Sequence, residues 1–282
     1  MKIQTPAKIN TQLYILKKRH DGFHDLYTHL VPVSLFDTIT ITPNSSEGMQ
    51  LTLDGRPCGP HQENLVLKAA RAFAYVTGIK INLDFQLSKK IPVGAGLGGG
   101  SGNAAGVLLA LNDYYQEPLK ISELLKTAAS LGSDVPFFIE PRPSEATGRG
   151  EQLTPLPQFP PVFLLIVKPS FSISTAEAYR NCQPAPLPAS VHPIKTFNQL
   201  AHSLHNQFEL TLLPLFPQLS TIKKTLLNCG AVGALVSGSG SSVFGVFPDE
   251  ASQRQAFLRF PKEELGDIFC CRTLECHSYC SE

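Results

Sequence analysis

Apolar and polar residues alternate along several stretches of the chain, the pattern of strands that are buried on one face. Residues 2–17 and 80–87 both have this two-residue period. Residues 29–41 predict one or two strands, with an interruption at Pro32 because proline cannot donate a ladder hydrogen bond. The continuous apolar run 162–167 predicts a strand that is buried on both faces.

Other stretches place apolar residues three or four positions apart, which predicts amphipathic helices. These stretches are 64–76, 103–115, 121–131, 219–227 and 250–260. We expect Gly78 and Gly132 to end the first and third helices, and Ser122 to cap the start of the third. The short run 135–139 predicts a strand, and residues 230–247 predict a strand, a turn of small residues and a second strand.

A glycine-rich segment joins the strand at 80–87 to the helix at 103–115. Six of its eleven residues, from Pro92 to Gly102, are glycine. Glycine lets several backbone N–H groups approach one ligand, and the N-terminus of the following helix adds a positive field. The segment therefore predicts a phosphate-binding loop, and the alternative is a glycine-rich surface turn.

Two well-known phosphate loops fit this segment poorly. A Walker A loop ends in Gly-Lys-Ser/Thr, and the segment contains no lysine. Gly94, Gly96 and Gly99 match the dinucleotide fingerprint, but that fingerprint needs a second strand ending in an acidic residue about twenty positions later. Residues 121–131 predict a helix at that place.

Composition and charge narrow the function classes. With 282 residues, the chain is long enough for two domains with a sizeable core. The net charge of +1 gives no electrostatic reason to expect binding to nucleic acid or to an acidic membrane. The N-terminal residues lack the apolar core of a signal peptide, so we expect a cytoplasmic protein that neither enters nor crosses a membrane.

The cysteines do not form a recognisable framework. Seven cysteines are spread over a long chain, which argues against structural disulfides. Near the C-terminus, Cys270, Cys271, Cys276, His277 and Cys280 offer a possible zinc site. Since no C-x₂-C pair is present, we expect reduced thiols instead.

Four short segments carry candidate functional residues, each with a structural alternative. Lys8 and Asn10 lie in the first strand, where a lysine is usually a solvated charge. Phe23 and His24 follow an Asp-Gly turn and could stack on a base and hydrogen-bond to it, or simply close a core edge. Asp134 follows a glycine turn, where an Asx turn or helix cap is the ordinary interpretation. The small residues 237–242 form either a ligand contact or a hairpin tip.

Taken together, these segments resemble the GHMP small-molecule kinases over nearly the whole chain. The segments that carry the resemblance are 6–10 (PAKIN), 21–24 (DGFH), 92–101, 131–138 (LGSDVPFF) and 237–241 (SGSGS). The first, second and fourth resemble the branch of that family that acts on 4-diphosphocytidyl-2-C-methyl-D-erythritol in non-mevalonate isoprenoid synthesis.

This resemblance implies a two-domain α+β fold. An ATP-binding domain at 1–153 would resemble the second domain of ribosomal protein S5, and a substrate domain at 154–282 would be ferredoxin-like. The implied reaction is transfer of the γ-phosphoryl group of ATP, with Mg²⁺, to the 2-hydroxyl of the small-molecule substrate. The alternatives are a GHMP kinase for a sugar, homoserine or mevalonate, and a nucleotide-binding regulator without catalysis. We expect a monomer or weak homodimer.

The resemblance also implies roles for individual residues. Asp134 would be the general base, and Lys8 beside it would stabilise the developing alkoxide. Metal ligands stay unassigned, although Ser101 would place a hydroxyl near phosphate or metal. The implied ATP-binding residues are Asn64, Leu65, Lys89, Pro92, Val93, Gly94, Ala95, Gly96, Leu97, Gly98, Gly99, Gly100, Ser101 and Gly102. The implied substrate-binding residues are Asn10, Phe23, His24, Thr175 and Tyr179, with His24 reading the cytosine.

The chain departs from the family pattern at four of these positions. Phe23 stands where tyrosine is usual, and Tyr179 where phenylalanine is common, and both keep an aromatic face for stacking. Ala95 replaces a usual glycine, and Gly102 replaces a usual serine, which weakens the support for a phosphate role of Ser101.

Overall fold

The computed structural model describes residues 1–44, 47–189, 191, 194–277 and 279. Within these ranges, strands form two sheets, and helices pack against both of them. The strands are β1 (Lys2–Lys18), β2 (His24–Pro43), β3 (Gln50–Gly55), β4 (Leu83–Lys89), β5 (Ser144–Gly148), β6 (Gln152–Pro155), β7 (Phe163–Lys168), β8 (His205–Asn206), β9 (Gly233–Val236), β10 (Val243–Phe247) and β11 (Asp267–Arg272). The helices are α1 (Leu65–Thr77), α2 (Gly99–Tyr114), α3 (Ile121–Leu131), α4 (Thr175–Asn181), α5 (Phe197–Ser203), α6 (Glu209–Leu215), α7 (Pro217–Asn228), α8 (Glu250–Arg259) and α9 (Lys262–Leu265).

The first sheet has the order β3-β4-β2-β1-β8, and β5 pairs with both β2 and β6. Its centre is the antiparallel pair of β1 and β2, which runs from Lys2 opposite Thr40 to Lys18 opposite His24. Helices α1, α2 and α3 pack against this sheet through a core that includes Phe73, Phe85 and Leu108. Each fully buried side chain of this size contributes about 1.5–3 kcal/mol.

The second sheet is antiparallel, with the order β11-β7-β10-β9. A separate apolar cluster joins the two sheets, with Ile9 and Val31 from the first and Leu164 and Phe244 from the second. Strand β8, which belongs to the C-terminal half of the chain, pairs in parallel with β1 of the first sheet. The observed architecture is the α+β fold that the resemblance implied, whereas the boundary at 153/154 stays a prediction.

Strand β2 continues through Pro32, so the predicted interruption is wrong. Pro32 lies opposite Lys8 of β1. On its other edge, β2 pairs with β5 at residues 26–30 and with β4 at residues 38–43. Pro32 falls between these two segments, where the missing N–H removes no ladder hydrogen bond.

Three other local predictions differ from the structure. Residues Pro136–Phe138 form a 3₁₀ turn instead of a strand, since a short apolar run does not distinguish the two. Helix α3 begins at Ile121, with Lys120 as the cap, because the Glu123 carboxylate accepts the Lys120 N–H at 2.9 Å. Helix α2 begins at Gly99, four residues earlier than its apolar spacing indicates.

A buried histidine lies on the face of β2 opposite the pocket described below. His29 is fully buried, and its Nε2 lies 3.1 Å from the Tyr27 hydroxyl, which donates to Glu145 at 2.8 Å. Nδ1 of His29 has no hydrogen-bond partner among the described residues. Burial lowers the pKa of His29 to about 4, so the folded protein holds this ring neutral.

We predict that His29 contributes to acid destabilisation. Its folded pKa lies below the ordinary value of 6.5, so the unfolded chain binds the proton first, and stability falls as the pH drops from 6.5 towards 4. A shift of this size corresponds to about 3 kcal/mol. Urea unfolding at about pH 7 and pH 4 measures the free energy of unfolding at each pH. Between these two values, the free energy of unfolding of His29→Gln should fall by about 3 kcal/mol less than that of the wild type.

The matched control is His20→Gln, at an exposed histidine, which should keep the wild-type pH dependence. Parallel curves for His29→Gln and the wild type would contradict the assignment.

Candidate active site

A cavity of about 900 Å³ lies between the two halves of the molecule. This volume is near the upper end of the range for ligand pockets, roughly 300–1,000 Å³. All the catalytic, ATP-binding and substrate-binding residues that the resemblance implied line it except Gly102, and Gly238 and Ser239 of the small-residue segment line it as well. A Cβ at Gly102 would lie 2.9 Å from the Pro6 carbonyl oxygen, so the small residue permits close packing of α2 against β1.

The glycine-rich segment forms one wall of this cavity. It runs as a loop from Pro92 to Gly98 and then enters α2, with Gly98 in the left-handed conformation at the N-cap. The first N–H groups of a helix have no partners within it, and they lie at its positive end. Because α2 begins inside the segment, this wall offers an anion both loop amides and a helix N-terminus.

A second loop, residues 237–242 between β9 and β10, holds the glycine loop from the C-terminal half. The Ser237 hydroxyl donates to the Gly96 carbonyl at 3.0 Å, and the Ser242 N–H donates to the Ala95 carbonyl at 3.2 Å. Gly96 has φ +74°, and a Cβ there would lie only 1.9 Å from the Ser237 carbonyl oxygen. No residue other than glycine fits this backbone approach without displacing one of the loops.

A buried carboxylate supports the start of the glycine loop. Asp37 of β2 is fully buried, and it accepts hydrogen bonds from the N–H groups of Lys90 and Ile91 at 2.8 Å each. The Lys89 ammonium forms an ion pair with the same carboxylate, and the Asn103 side chain donates to it at 3.0 Å. Lys89 therefore lines the cavity with its charge already paired, which the sequence did not indicate.

The structure brings Lys8 and Asp134 together although 126 positions separate them in the chain. Their Nζ and Oδ2 atoms are 3.6 Å apart, and Asp134 is far more exposed than the buried Lys8. The Lys8 ammonium donates to Asn10 Oδ1 at 2.7 Å, and Asn10 Nδ2 donates to the Thr28 hydroxyl at 2.8 Å. Thr28 thus fixes the amide of Asn10 so that its oxygen faces Lys8.

Aromatic rings form the other end of the cavity. The rings of His24 and Tyr179 stack with centroids 5.2 Å apart, while Phe23 is half exposed. Burial, together with the charge of Lys18, lowers the pKa of His24, so the imidazole is neutral near pH 7 and can both donate and accept a hydrogen bond. Thr175 lies beside these rings, with its hydroxyl 3.0 Å from that of Ser239.

Asn64 and Leu65 lie at the start of α1, next to the glycine loop. Asn64 is the N-cap, and its side chain accepts the Val66 N–H at 2.9 Å and donates to the Cys58 sulfur at 3.3 Å. Leu65 lies against Gly100, where an added Cβ would be 3.3 Å from its side chain. Leu65 gives this part of the wall an apolar surface, the polar atoms of Asn64 are hydrogen-bonded within the protein, and Cys58 is a lining residue that no sequence signal identified.

The C-terminal cysteine cluster does not form a metal site in the described part of the chain. No group of three His, Cys, Asp or Glu residues is placed there to hold a metal ion. Cys270, Cys271 and Cys276 are free thiols, and Cys280 lies outside the described residues.

Known proteins are similar to this chain over nearly its whole length. A family model described as GHMP kinases N terminal domain matches residues 64–140, and one described as GHMP kinases C terminal matches residues 188–265. A protein of Syntrophus aciditrophicus (strain SB) named 4-diphosphocytidyl-2-C-methyl-D-erythritol kinase is 37% identical over 279 residues, which cover 98% of this chain and 100% of the relative. A protein of the same name from Pelotomaculum thermopropionicum is 39% identical over 266 residues, with 92% and 93% covered.

Solved structures of small-molecule kinases also match nearly the whole chain. The crystal structure of a 4-(cytidine 5'-diphospho)-2C-methyl-D-erythritol kinase matches with a TM-score of 0.82 and 35% identity, covering 97% of this chain and 99% of that one. A homoserine kinase from Cytophaga hutchinsonii matches with a TM-score of 0.70 at 19% identity, covering 98% and 95%, and this likeness shows the fold alone.

The contact between the two loops leads to a prediction with a matched pair of variants. Gly94 and Gly96 both have positive φ, so alanine at either position costs about 1–2 kcal/mol in backbone strain. Only Gly96 also faces a backbone oxygen at contact distance, whereas the nearest atom at Gly94 is 3.6 Å away. Gly96→Ala should therefore lower the free energy of unfolding by at least about 3 kcal/mol, and Gly94→Ala by about 1–2 kcal/mol.

Urea unfolding of the two variants measures this difference. Equal losses of stability would show that the loops do not depend on the close approach at Gly96.

Proposed function

The chain belongs to the GHMP kinases, within the 4-diphosphocytidyl-2-C-methyl-D-erythritol kinases, and we propose that it phosphorylates that substrate with ATP. In this reaction the 2-hydroxyl of the methylerythritol unit receives the γ-phosphoryl group, a step of non-mevalonate isoprenoid synthesis. The observation that supports it most is a single cavity that combines a glycine loop at a helix N-terminus with the Lys8–Asp134 pair.

Asp134 and Lys8 have complementary roles in the proposed step. The substrate oxygen attacks the γ-phosphorus, the bond from that phosphorus to the β–γ bridging oxygen breaks, and ADP leaves. The hydroxyl proton passes to the Asp134 carboxylate, which is accessible from the cavity. The Lys8 ammonium, fixed by Asn10, stabilises the negative charge on the attacking oxygen.

Phosphoryl transfer depends mainly on alignment and charge compensation, so most of the site would act by positioning. The loop amides and the N-terminus of α2 would hold the ATP phosphates, as an anion-binding wall should. The apolar wall at Asn64 and Leu65 would receive the adenine. The Lys89–Asp37 pair would support the loop from below, because its charges are already satisfied within the protein.

The oxygen donors of the cavity fit a magnesium ion that is bound mainly by ATP. Mg²⁺ in kinases usually keeps several waters and takes one or two protein oxygens in addition to the phosphates. Ser101 in the first turn of α2 and the carboxylates of Glu63 and Asp134 line the cavity. We propose Ser101 as a protein oxygen near the ion, which when bound neutralises charge on the β- and γ-phosphates.

The aromatic end of the cavity would bind the cytidine group. Phe23 and Tyr179 offer faces for stacking, and the neutral His24 offers a donor and an acceptor to the cytosine edge. Thr175 and Asn10 would contact the remainder of the substrate.

One chain supplies both walls of the cavity, which supports a monomer or weak homodimer as the working unit. The need for ATP supports a cytoplasmic location, and the near-zero net charge supports a small-molecule substrate over nucleic acid. Among the described residues, no helix has the length and apolarity that crossing a bilayer requires.

We predict that Asp134→Asn lowers kcat by about a hundred- to ten-thousand-fold with little change in KM, because the amide keeps the shape but cannot accept the proton. Asp113→Asn, at an exposed aspartate of α2, is the matched control and should keep wild-type rates. Steady-state ADP release with thermal unfolding of each variant measures both effects. A folded Asp134→Asn enzyme with more than about a tenth of the wild-type kcat would rule out the base.

The substrate assignment predicts the outcome of a competition among alcohols. With ATP and Mg²⁺, the chain should convert 4-diphosphocytidyl-2-C-methyl-D-erythritol and leave homoserine, mevalonate and galactose unchanged. A coupled ADP assay with mass spectrometry of the products measures this. Turnover of one of the other alcohols at a similar rate would indicate another GHMP kinase, and no ADP with any substrate would indicate a regulator.

A further inference from the structure

One cavity-lining cation has no role in the site described so far. Arg149 lies in the turn between β5 and β6, and together with Gly150 it lines the cavity beside Phe23. Its guanidinium carbon lies 4.9 Å from the centroid of the Phe23 ring. The turn is held at this place because Gly148 pairs with Leu26 of β2, two residues after His24.

Among the cavity cations in the described part of the chain, Arg149 is the one whose side chain donates no hydrogen bond to the protein. Lys8 faces Asp134 and Asn10, and Lys89 forms an ion pair with the buried Asp37. The nearest acidic group to Arg149 is Glu151, whose Oε1 lies 3.6 Å from Nε, an ion pair beyond hydrogen-bond distance. Asp21 also feels this charge, because its pKa is lowered mainly by Arg19 and to a smaller extent by Arg149. The two terminal nitrogens of Arg149 have no protein partner among the described residues.

Glu151 has a different main contact. Its other carboxylate oxygen accepts the backbone N–H of Arg149 at 2.6 Å. This bond holds the shape of the turn and keeps Glu151 at the backbone side of the arginine. The Arg149 side chain is 29% exposed and its guanidinium contacts the Phe23 ring, so the group is held in place yet reachable by a ligand.

We propose that Arg149 binds the diphosphate of the cytidine-linked substrate. The inference rests on the proposed function, because only a nucleotide-linked alcohol brings a diphosphate to the aromatic end of the cavity. A planar guanidinium with two unused edges suits phosphate oxygens, with which it forms paired, charge-assisted hydrogen bonds. The contact with Phe23 keeps the guanidinium next to the ring that we propose stacks on the cytosine. Because the diphosphate is joined to the same nucleoside as the cytosine, it would lie near this charge.

The test compares two competitive inhibitors that differ only in the diphosphate, namely CDP and cytidine. Their inhibition constants are measured for the wild type, Arg149→Gln and Arg149→Lys, with ATP at saturation. Arg142→Gln is the matched control, because Arg142 is a partly exposed arginine outside the cavity lining. Thermal unfolding of all variants verifies that the fold is kept.

We expect Arg149→Gln to weaken CDP inhibition and to raise the substrate KM about ten- to a hundredfold, as loss of a charged hydrogen bond should. Cytidine inhibition should change less than about twofold, and the KM for ATP should stay constant. Arg149→Lys should bind CDP more tightly than Arg149→Gln but less tightly than the wild type, since lysine keeps the positive charge and lacks the paired donors of the guanidinium.

Three results would overturn the assignment. Unchanged CDP inhibition in Arg149→Gln would show that the guanidinium does not contact the diphosphate. Equal weakening of CDP and cytidine would show that Arg149 acts on the base or on the Phe23 wall. If the wild type binds neither inhibitor, the cytidine-linked substrate itself is wrong, and the role of Arg149 fails with it.

Discussion

The close approach of two backbone loops, one from each half of the chain, is the contact on which the site depends. At Gly96 the glycine loop lies so near the Ser237 carbonyl that no side chain fits between them. Two hydrogen bonds, from Ser237 and Ser242, fix this contact. Under the proposed function, a loop that is held on both sides would need little further ordering when its amides bind the ATP phosphates, which lowers the entropic cost of binding.

Both halves of the chain contribute residues to the cavity. The C-terminal half supplies the loop that holds Gly96, and also Thr175 and Tyr179 of the aromatic end. The N-terminal half supplies the lysine and aspartate. The apolar cluster between the sheets and the pairing of β8 with β1 keep these groups in one relative position. The catalytic geometry is therefore a product of the interface between the halves.

The sequence predicted the elements well wherever the local signal was strong. Strand β1, helix α1 and the glycine that ends this helix all appear as expected, although β1 is buried on both faces over residues 5–13 instead of on one. The run at 135–139 failed because five apolar residues fit a strand and a turn equally well. For Asp134, local sequence favoured an Asx turn, and only the order of motifs along the whole chain connected it with Lys8.

The residues that the sequence missed share one physical property, which is that their roles depend on distant partners. In the sequence, Asp37 is an ordinary strand position, because its partners, the N–H groups of residues 90 and 91, lie more than fifty positions away. Arg149 is an ordinary turn residue in the sequence, and only the pairing of β5 with β2 places it next to Phe23. The role of a charged side chain at this site depends on whether its partner is another protein group or a bound ligand. Asp37 already holds a cation within the chain, so it stabilises the loop. The terminal nitrogens of Arg149 have no hydrogen-bond partner in the described part of the chain, which is why we propose the substrate diphosphate for them.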